Sequence, residues 1–177
     1  MPIPVKLTPV EVHINADRRF VFQYLTAFGM PGPDGERATQ VLQDEGTRKL
    51  VAFHSQVAGL FGRKSRVLTE EWVTLDEPGL ISFEGVKGPL PLLRDRLELT
   101  DHGGCTVLRY HSTIGAYAGI LGWPVAVLYA KPIVARHMRE HMTDIKETIE
   151  ARARLSRAYP QEVCAHDAPL HPVEVVC

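Results

Sequence analysis

The chain has 177 residues, 45% hydrophobic and 23% charged, a composition that excludes a disordered or collagen-like polymer and fits a folded globular protein. That length suits one domain with its own core and argues against a two-domain enzyme. Twenty basic against 21 acidic residues leave a formal charge of -1, so no global positive field draws the protein to nucleic acid or to acidic membranes.

Cys105, Cys164 and Cys177 form no CxxC pair and cannot all be bridged within one chain, which suits a reduced cytoplasm. The opening MPIPVKLTPVEVHI contains one lysine, three prolines and no apolar run of signal-peptide length. Tyr110 to Ala130 carries no formal charge and is about as long as the roughly 20 residues a bilayer span needs. Its first residues continue an alternating strand, however, and Gly115, Gly119, Gly122 and Pro124 interrupt any helix. The reading is therefore against an integral span, with peripheral membrane contact left open.

In chain order, Pro9 to Ile14 alternates Val10, Val12 and Ile14 with Glu11 and His13, the pattern of a half-buried strand. The period then changes. Asn15 is placed to cap a helix with Asp17 in its first turn, and Val21, Leu25 and Phe28 repeat at helical spacing beside Phe20, Tyr24 and Ala27. Gly29 stops that helix, and Met30 to Glu36 is a proline- and glycine-rich loop. From Ala38 to Ile114 strand-like runs alternate with turns. The runs are Thr47–Val57, Arg66–Leu75, Leu80–Val86, Leu93–Leu99 and Cys105–Ile114, joined by links too short for parallel crossovers, so an antiparallel meander is expected. A second helix, from about Lys131 to Ala158, shows one apolar stripe: Val134, Met138, Met142 or His141, Ile145 and Ile149. Residues 159–177 have three prolines and no period, and read as a tail that is ordered only if it docks.

The order strand, short helix, antiparallel run and long C-terminal helix resembles the helix-grip fold. The segments VEVHINADRRFVFQYLTAF, EEWVTLDEPGLISFEG, GGCTVLRYHSTI and AKPIVARHMREHMTDIKETIEAR are similar to the START-like (SRPBCC) superfamily, which includes polyketide cyclase/dehydrase and lipid-transport proteins. The resemblance spans about residues 9 to 155 and has no invariant catalytic signature. It implies an α+β fold in residues 1–158, with a curved antiparallel sheet wrapped around the long C-terminal helix and a cavity between them for a bulky hydrophobic ligand.

Candidate ligand-binding residues are Phe53, Glu70, Trp72, Phe83, Asp95, Leu97, Tyr110, Met138 and Met142. If Trp72 faces the helix, period two brings Leu68, Glu70 and Thr74 with it. The same rule groups Leu93, Asp95, Leu97 and Leu99, and groups Leu108, Tyr110, Ser112 and Ile114. Such faces mix apolar bulk with sparse polar groups, as ligand cavities do. The aromatics and methionines also suit an ordinary core. Asp95, between Leu93 and Leu97, must be solvated at a strand edge, pair with Arg94, Arg96 or Arg109, or hold a raised pKa.

Other chemistries find little footing. His137 and His141 in HMREH match the HxxEH zinc pattern, but no third ligand follows on a suitable helix, so no metal is expected. No GxSxG, glycine-rich phosphate loop or zinc-spaced cysteine pair occurs, and no cofactor is called for. Cyclases and aromatases of the resembled superfamily often carry an arginine on the strand that here reads EEWVTLDEP. The place falls near Asp76, with no arginine between Arg66 and Arg94. The expected function is binding or transport of a lipid, polyketide or isoprenoid-like molecule. Its alternatives are a cyclase, dehydratase or aromatase using the same cavity, with Tyr110, Asp95 and Glu70 to polarise a carbonyl or move a proton, and a membrane-docking or protein-interaction module using Gly115–Ala130 or the tail.

Overall fold

The computed structural model describes residues 2–31, 37–58, 64–116 and 131–157. Its elements in chain order are β1 (Ile3–Lys6), β2 (Val10–Ile14), α1 (Arg18–Leu25), β3 (Thr39–Asp44), β4 (Arg48–Ala58), β5 (Lys64–Asp76), β6 (Leu80–Lys87), β7 (Leu93–His102), β8 (Cys105–Ala116) and α2 (Lys131–Ser156). All the strands join one curved antiparallel sheet in the order β1-β8-β7-β6-β5-β4-β3, with β2 also on β8. This is the α+β helix-grip architecture. The consecutive β3 to β8 form a meander because tight turns join them, with Gly46 and Gly103 taking the positive φ that such turns require.

β1 and β2 share one edge of β8. Val5 pairs with Ile114, and Val10 and Val12 pair with Tyr110 and Leu108. The strand β1 is not legible in the sequence pattern, because prolines at positions 2 and 4 precede its valine. A proline is tolerated on the sheet's outermost strand, where one side of the backbone needs no ladder partner.

The helix α1 is capped by Asp17 rather than Asn15. The Asp17 carboxylate accepts from the Arg19 and Phe20 amides at 2.8 and 3.3 Å. Asn15 is instead buried at 1% exposure, and its amide donates to Glu150 Oε1 at 2.9 Å. Lys146 Nζ lies 3.1 Å from the same carboxylate and donates to the His13 carbonyl at 2.6 Å. Together these bonds fasten α2 to the end of β2.

Along α2, Met142, Ile149 and Ala153 are buried, with Met138 and Ile145 packed on the same cluster. These positions repeat at three- and four-residue spacing, so the stripe faces the sheet while Arg136, Arg139 and Glu140 stay in water. No glycine interrupts the 26 residues of the helix, and its only proline, Pro132, stands in the first turn, where an amide has no intrahelical acceptor. Ile14, Ile81, Leu108, Met142 and Ile149 make the fully buried centre.

Among the described residues no helix is long and apolar enough to cross a membrane. Tyr110 to Ala116 belongs to β8, and the rest of the uncharged stretch lies outside the described residues, as do the tail and most of the Met30–Glu36 loop. Cys105, 2% exposed, has its Sγ 3.5 Å from Asn15 Oδ1.

Candidate functional site

Alternation along the strands assigns one set of side chains to the face that meets α2. On β7 these are Leu93, Asp95, Leu97 and Leu99, and on β8 Leu108, Tyr110, Ser112 and Ile114. The register then builds rows across the sheet. Val73, Phe83, Asp95 and Ser112 are cross-strand partners in one row, and Leu75, Ile81, Leu97 and Tyr110 in the next. Glu71 stands two residues before Val73 on β5, opposite Val51 and Gly85.

These rows place a polar island in an apolar wall. Glu71, Tyr110 and Ser112 are buried, at 7, 6 and 6% exposure. Thr69 donates its hydroxyl to Glu71 Oε1 at 2.9 Å. Around the island, Phe28, Phe53 and Phe83 form a chain of edge-to-face rings with centroids 6.0 and 6.1 Å apart. Leu97 and Met142 belong to the core beneath, and Met138 packs against it from α2.

The island's electrostatics follow from burial. Desolvation pushes the Asp95 carboxyl above the ordinary carboxylate range, partly offset by the Ser112 and Tyr110 hydroxyls nearby. Asp95 Oδ1 and Ser112 Oγ are nevertheless shut from solvent and make no hydrogen bond of good geometry. Glu71 is raised by burial and by the Asp95 charge, against the lowering effect of Thr69. Burial, followed by the charge of Asp95, also raises the Tyr110 phenol. The result is a pair of acids held towards their protonated forms beside a phenol held neutral.

Seven of the nine sequence-derived residues share this inner side: Phe53, Phe83, Asp95, Leu97, Tyr110, Met138 and Met142. Glu70 and Trp72 do not. Glu70 pairs with Lys87 at 2.9 Å, and Trp72 lies beneath the Arg48 guanidinium, 4.2 Å from its ring centroid, both on the opposite face with Leu68 and Thr74. Their outward placement has a simple cause. β5 has large apolar residues in both alternating sets, Leu68 and Trp72 against Val73 and Leu75, so period two cannot choose between them. Pairing with the buried Val51 and Ile81 chooses the second set and carries Glu71 inside. Glu71 and Thr69 escape a reading by period for that reason. The only cue to them is their spacing from Val73 and Leu75.

Asp95 makes no ion pair with Arg94, Arg96 or Arg109. Arg94 and Arg96 reach Glu84 and Glu98, and Arg109 reaches Glu11, all on the outer face. Among the described residues no three His, Cys, Asp or Glu side chains gather as a metal site. The inner wall thus sets a carboxylate oxygen and a hydroxyl without partners beside a buried phenol, in otherwise apolar surroundings.

No functionally curated protein matches the sequence. Several solved structures share the fold. A protein of Thermus thermophilus is 15% identical with a TM-score of 0.64, over 84% of this chain and 99% of its own. The ZhuI aromatase/cyclase of a Streptomyces species is 18% identical with a TM-score of 0.55, over 88% and 94%. A START superfamily protein of Mycobacterium smegmatis is 11% identical with a TM-score of 0.55, over 86% and 99%. Residues 8–150 match the family model described as polyketide cyclase / dehydrase and lipid transport, and with the helix-grip sheet and α2 in place, the chain belongs to that family.

Proposed function

We propose that the chain binds a hydrophobic small molecule of lipid, polyketide or isoprenoid kind between the inner face of the sheet and α2, and anchors it through an oxygen of the ligand. The observation that carries this reading is the unpartnered pair Asp95 Oδ1 and Ser112 Oγ in a wall otherwise built from Phe53, Phe83, Leu97, Met138 and Met142. A buried polar atom without a partner costs about 1–3 kcal/mol, and native domains keep few of them. A ligand hydroxyl donating to Asp95 and accepting from Ser112 removes both deficits. The family's description, which joins cyclases with lipid transport, supports the same ligand class.

The test is a fluorescent polycyclic probe bearing a hydroxyl, compared with its unsubstituted hydrocarbon, alongside native mass spectrometry of the freshly purified protein. The hydroxylated probe is expected to bind with micromolar affinity, roughly -8 kcal/mol, and Asp95→Ala to weaken it more than the hydrocarbon. Leu97→Trp fills the wall and abolishes binding of both at a cost of about 1–3 kcal/mol in stability. A parent that binds neither probe and carries no ligand, combined with a Leu97→Trp variant that fails to fold, means a solid interior and defeats the reading.

One observation favours a second reading, a cyclase, dehydratase or aromatase. Asp95 and Glu71 both hold a proton to higher pH than an ordinary carboxyl, the adjustment that acid–base work near neutrality needs. Ionised Asp95 can take a proton from the carbon beside a ligand carbonyl while Tyr110 donates a hydrogen bond to the carbonyl oxygen. Protonated Glu71 can give its proton to a departing hydroxyl, which leaves as water. Under this reading Asp95→Asn abolishes water loss from a β-hydroxyketone surrogate and retains its binding. Equal turnover by the variant excludes it.

A further inference from the structure

The outer face of the sheet carries a row that the inner site does not use. Arg48, Thr74, Ser82 and Arg96 are successive cross-strand partners on β4, β5, β6 and β7, so two hydroxyls stand between two guanidinium side chains along three strand spacings, about 14 Å. The neighbouring row supplies Trp72, Glu84 and Arg94. These residues, together with Phe83 and Asp95 of the row between them, line a pocket of about 260 Å³ open to solvent.

The charges around it are unequal. Arg94 is neutralised by Glu84 at 3.1 Å, and Arg96 by Glu98 at 3.2 Å. Arg48 meets no carboxylate among the described residues and rests on the Trp72 ring, which holds its fork beside Thr74. A guanidinium placed in this way keeps donors free for an anion.

The geometry points to a second, outer-face binding site that takes the phosphate of a phosphomonoester. A carboxylate offers two oxygens. The three terminal oxygens of a phosphomonoester can meet the Arg48 fork and the Thr74 and Ser82 hydroxyls at once, with Arg96 closing the far end of the row. The pocket exceeds the size of a bare phosphate and leaves space for the esterified group along the exposed edge of Trp72. That group is either a small soluble molecule or the glycerol of a lipid headgroup.

Phenyl phosphate is the soluble probe, and vesicles of phosphatidylcholine with and without phosphatidic acid are the membrane probe. The chain has two tryptophans, so Trp123→Phe leaves Trp72 as the only indole reporter, and calorimetry on the unaltered protein gives an independent reading should that variant fold poorly. Saturable binding of phenyl phosphate that Arg48→Gln, or Thr74→Val with Ser82→Ala, weakens about tenfold or more supports the site with a soluble ester. Binding only to the phosphatidic acid vesicles, with the same dependence on Arg48, supports it with a lipid headgroup. No saturation by phenyl phosphate up to about 10 mM together with no excess vesicle binding overturns the proposal, and so does an affinity that Arg48→Gln does not alter.

Discussion

Replacing Asp95 by Asn is expected to stabilise the protein near neutral pH and to do so less as the solution is acidified. The Asp95 carboxylate, in the row between Phe83 and Ser112 with one oxygen unpaired, loses its hydration on folding and gains no cation. Folding therefore raises its pKa. For an acid raised on folding, the folded chain binds more protons than the unfolded chain between the two pKa values, so stability falls as pH rises through that window. Above the window the full penalty is present. Below the unfolded value both states are protonated and it disappears. Asparagine carries no charge at any pH and escapes the penalty, while keeping the shape and an amide to hydrogen-bond. Relief of one desolvated, unpartnered group amounts to about 1–3 kcal/mol, or a rise in Tm of roughly 3–10 °C for a domain of this size. Thermal melts followed by circular dichroism from pH 4 to pH 8 measure it. The gain over the parent should be largest at pH 8 and small at pH 4. A variant that is equally or less stable than the parent at every pH refutes the claim that the hydration Asp95 loses is only partly compensated. Loss of hydroxylated-probe binding in the same variant would show a site held at the expense of stability.

Other perturbations test the frame around the site. Lys146→Met takes the cation away from Glu150, 8% exposed and bonded also to the Asn15 amide, and should cost about 1–3 kcal/mol in urea melts; an unchanged midpoint would remove that latch from the account of how α2 is held. Asp17→Ala removes the cap of α1 and should cost about 1 kcal/mol, whereas Asn15→Ala acts through the core and not through helix capping, so amide exchange in α1 should rise for the first variant only. Gly115→Ala places a Cβ 2.6 Å from Leu92 Cβ and 2.9 Å from its amide nitrogen, where β8 and Leu92 are joined by a 2.7 Å backbone hydrogen bond, and should cost about 1–3 kcal/mol by overpacking.

The sequence by itself determined the features that depend on period and punctuation. Alternation in Val10–Ile14, in Leu93–Leu99 and in Cys105–Ile114 marked strands, and the Met138, Met142, Ile145, Ile149 stripe marked both α2 and its buried face. Each is a local pattern with one apolar face, and a residue's side of the element follows from its number. Asp95, Leu97 and Tyr110 were legible as inner residues for the same reason, and the helix-grip resemblance followed from the order of the elements. Only the tertiary structure decided the face of β5. Its two alternating sets are nearly equal in apolar content, so exchanging them costs little within the strand, and the choice rests on cross-strand pairing with Val51 and Ile81. That one choice moved Trp72 outwards to Arg48 and brought Glu71 in beside Asp95. The pairing of β1 with the end of β8, the exchange of capping from Asn15 to Asp17, and the bonding of Asn15 to Glu150, 135 residues away, are equally non-local. A free energy shared between distant segments leaves no periodic trace in either of them.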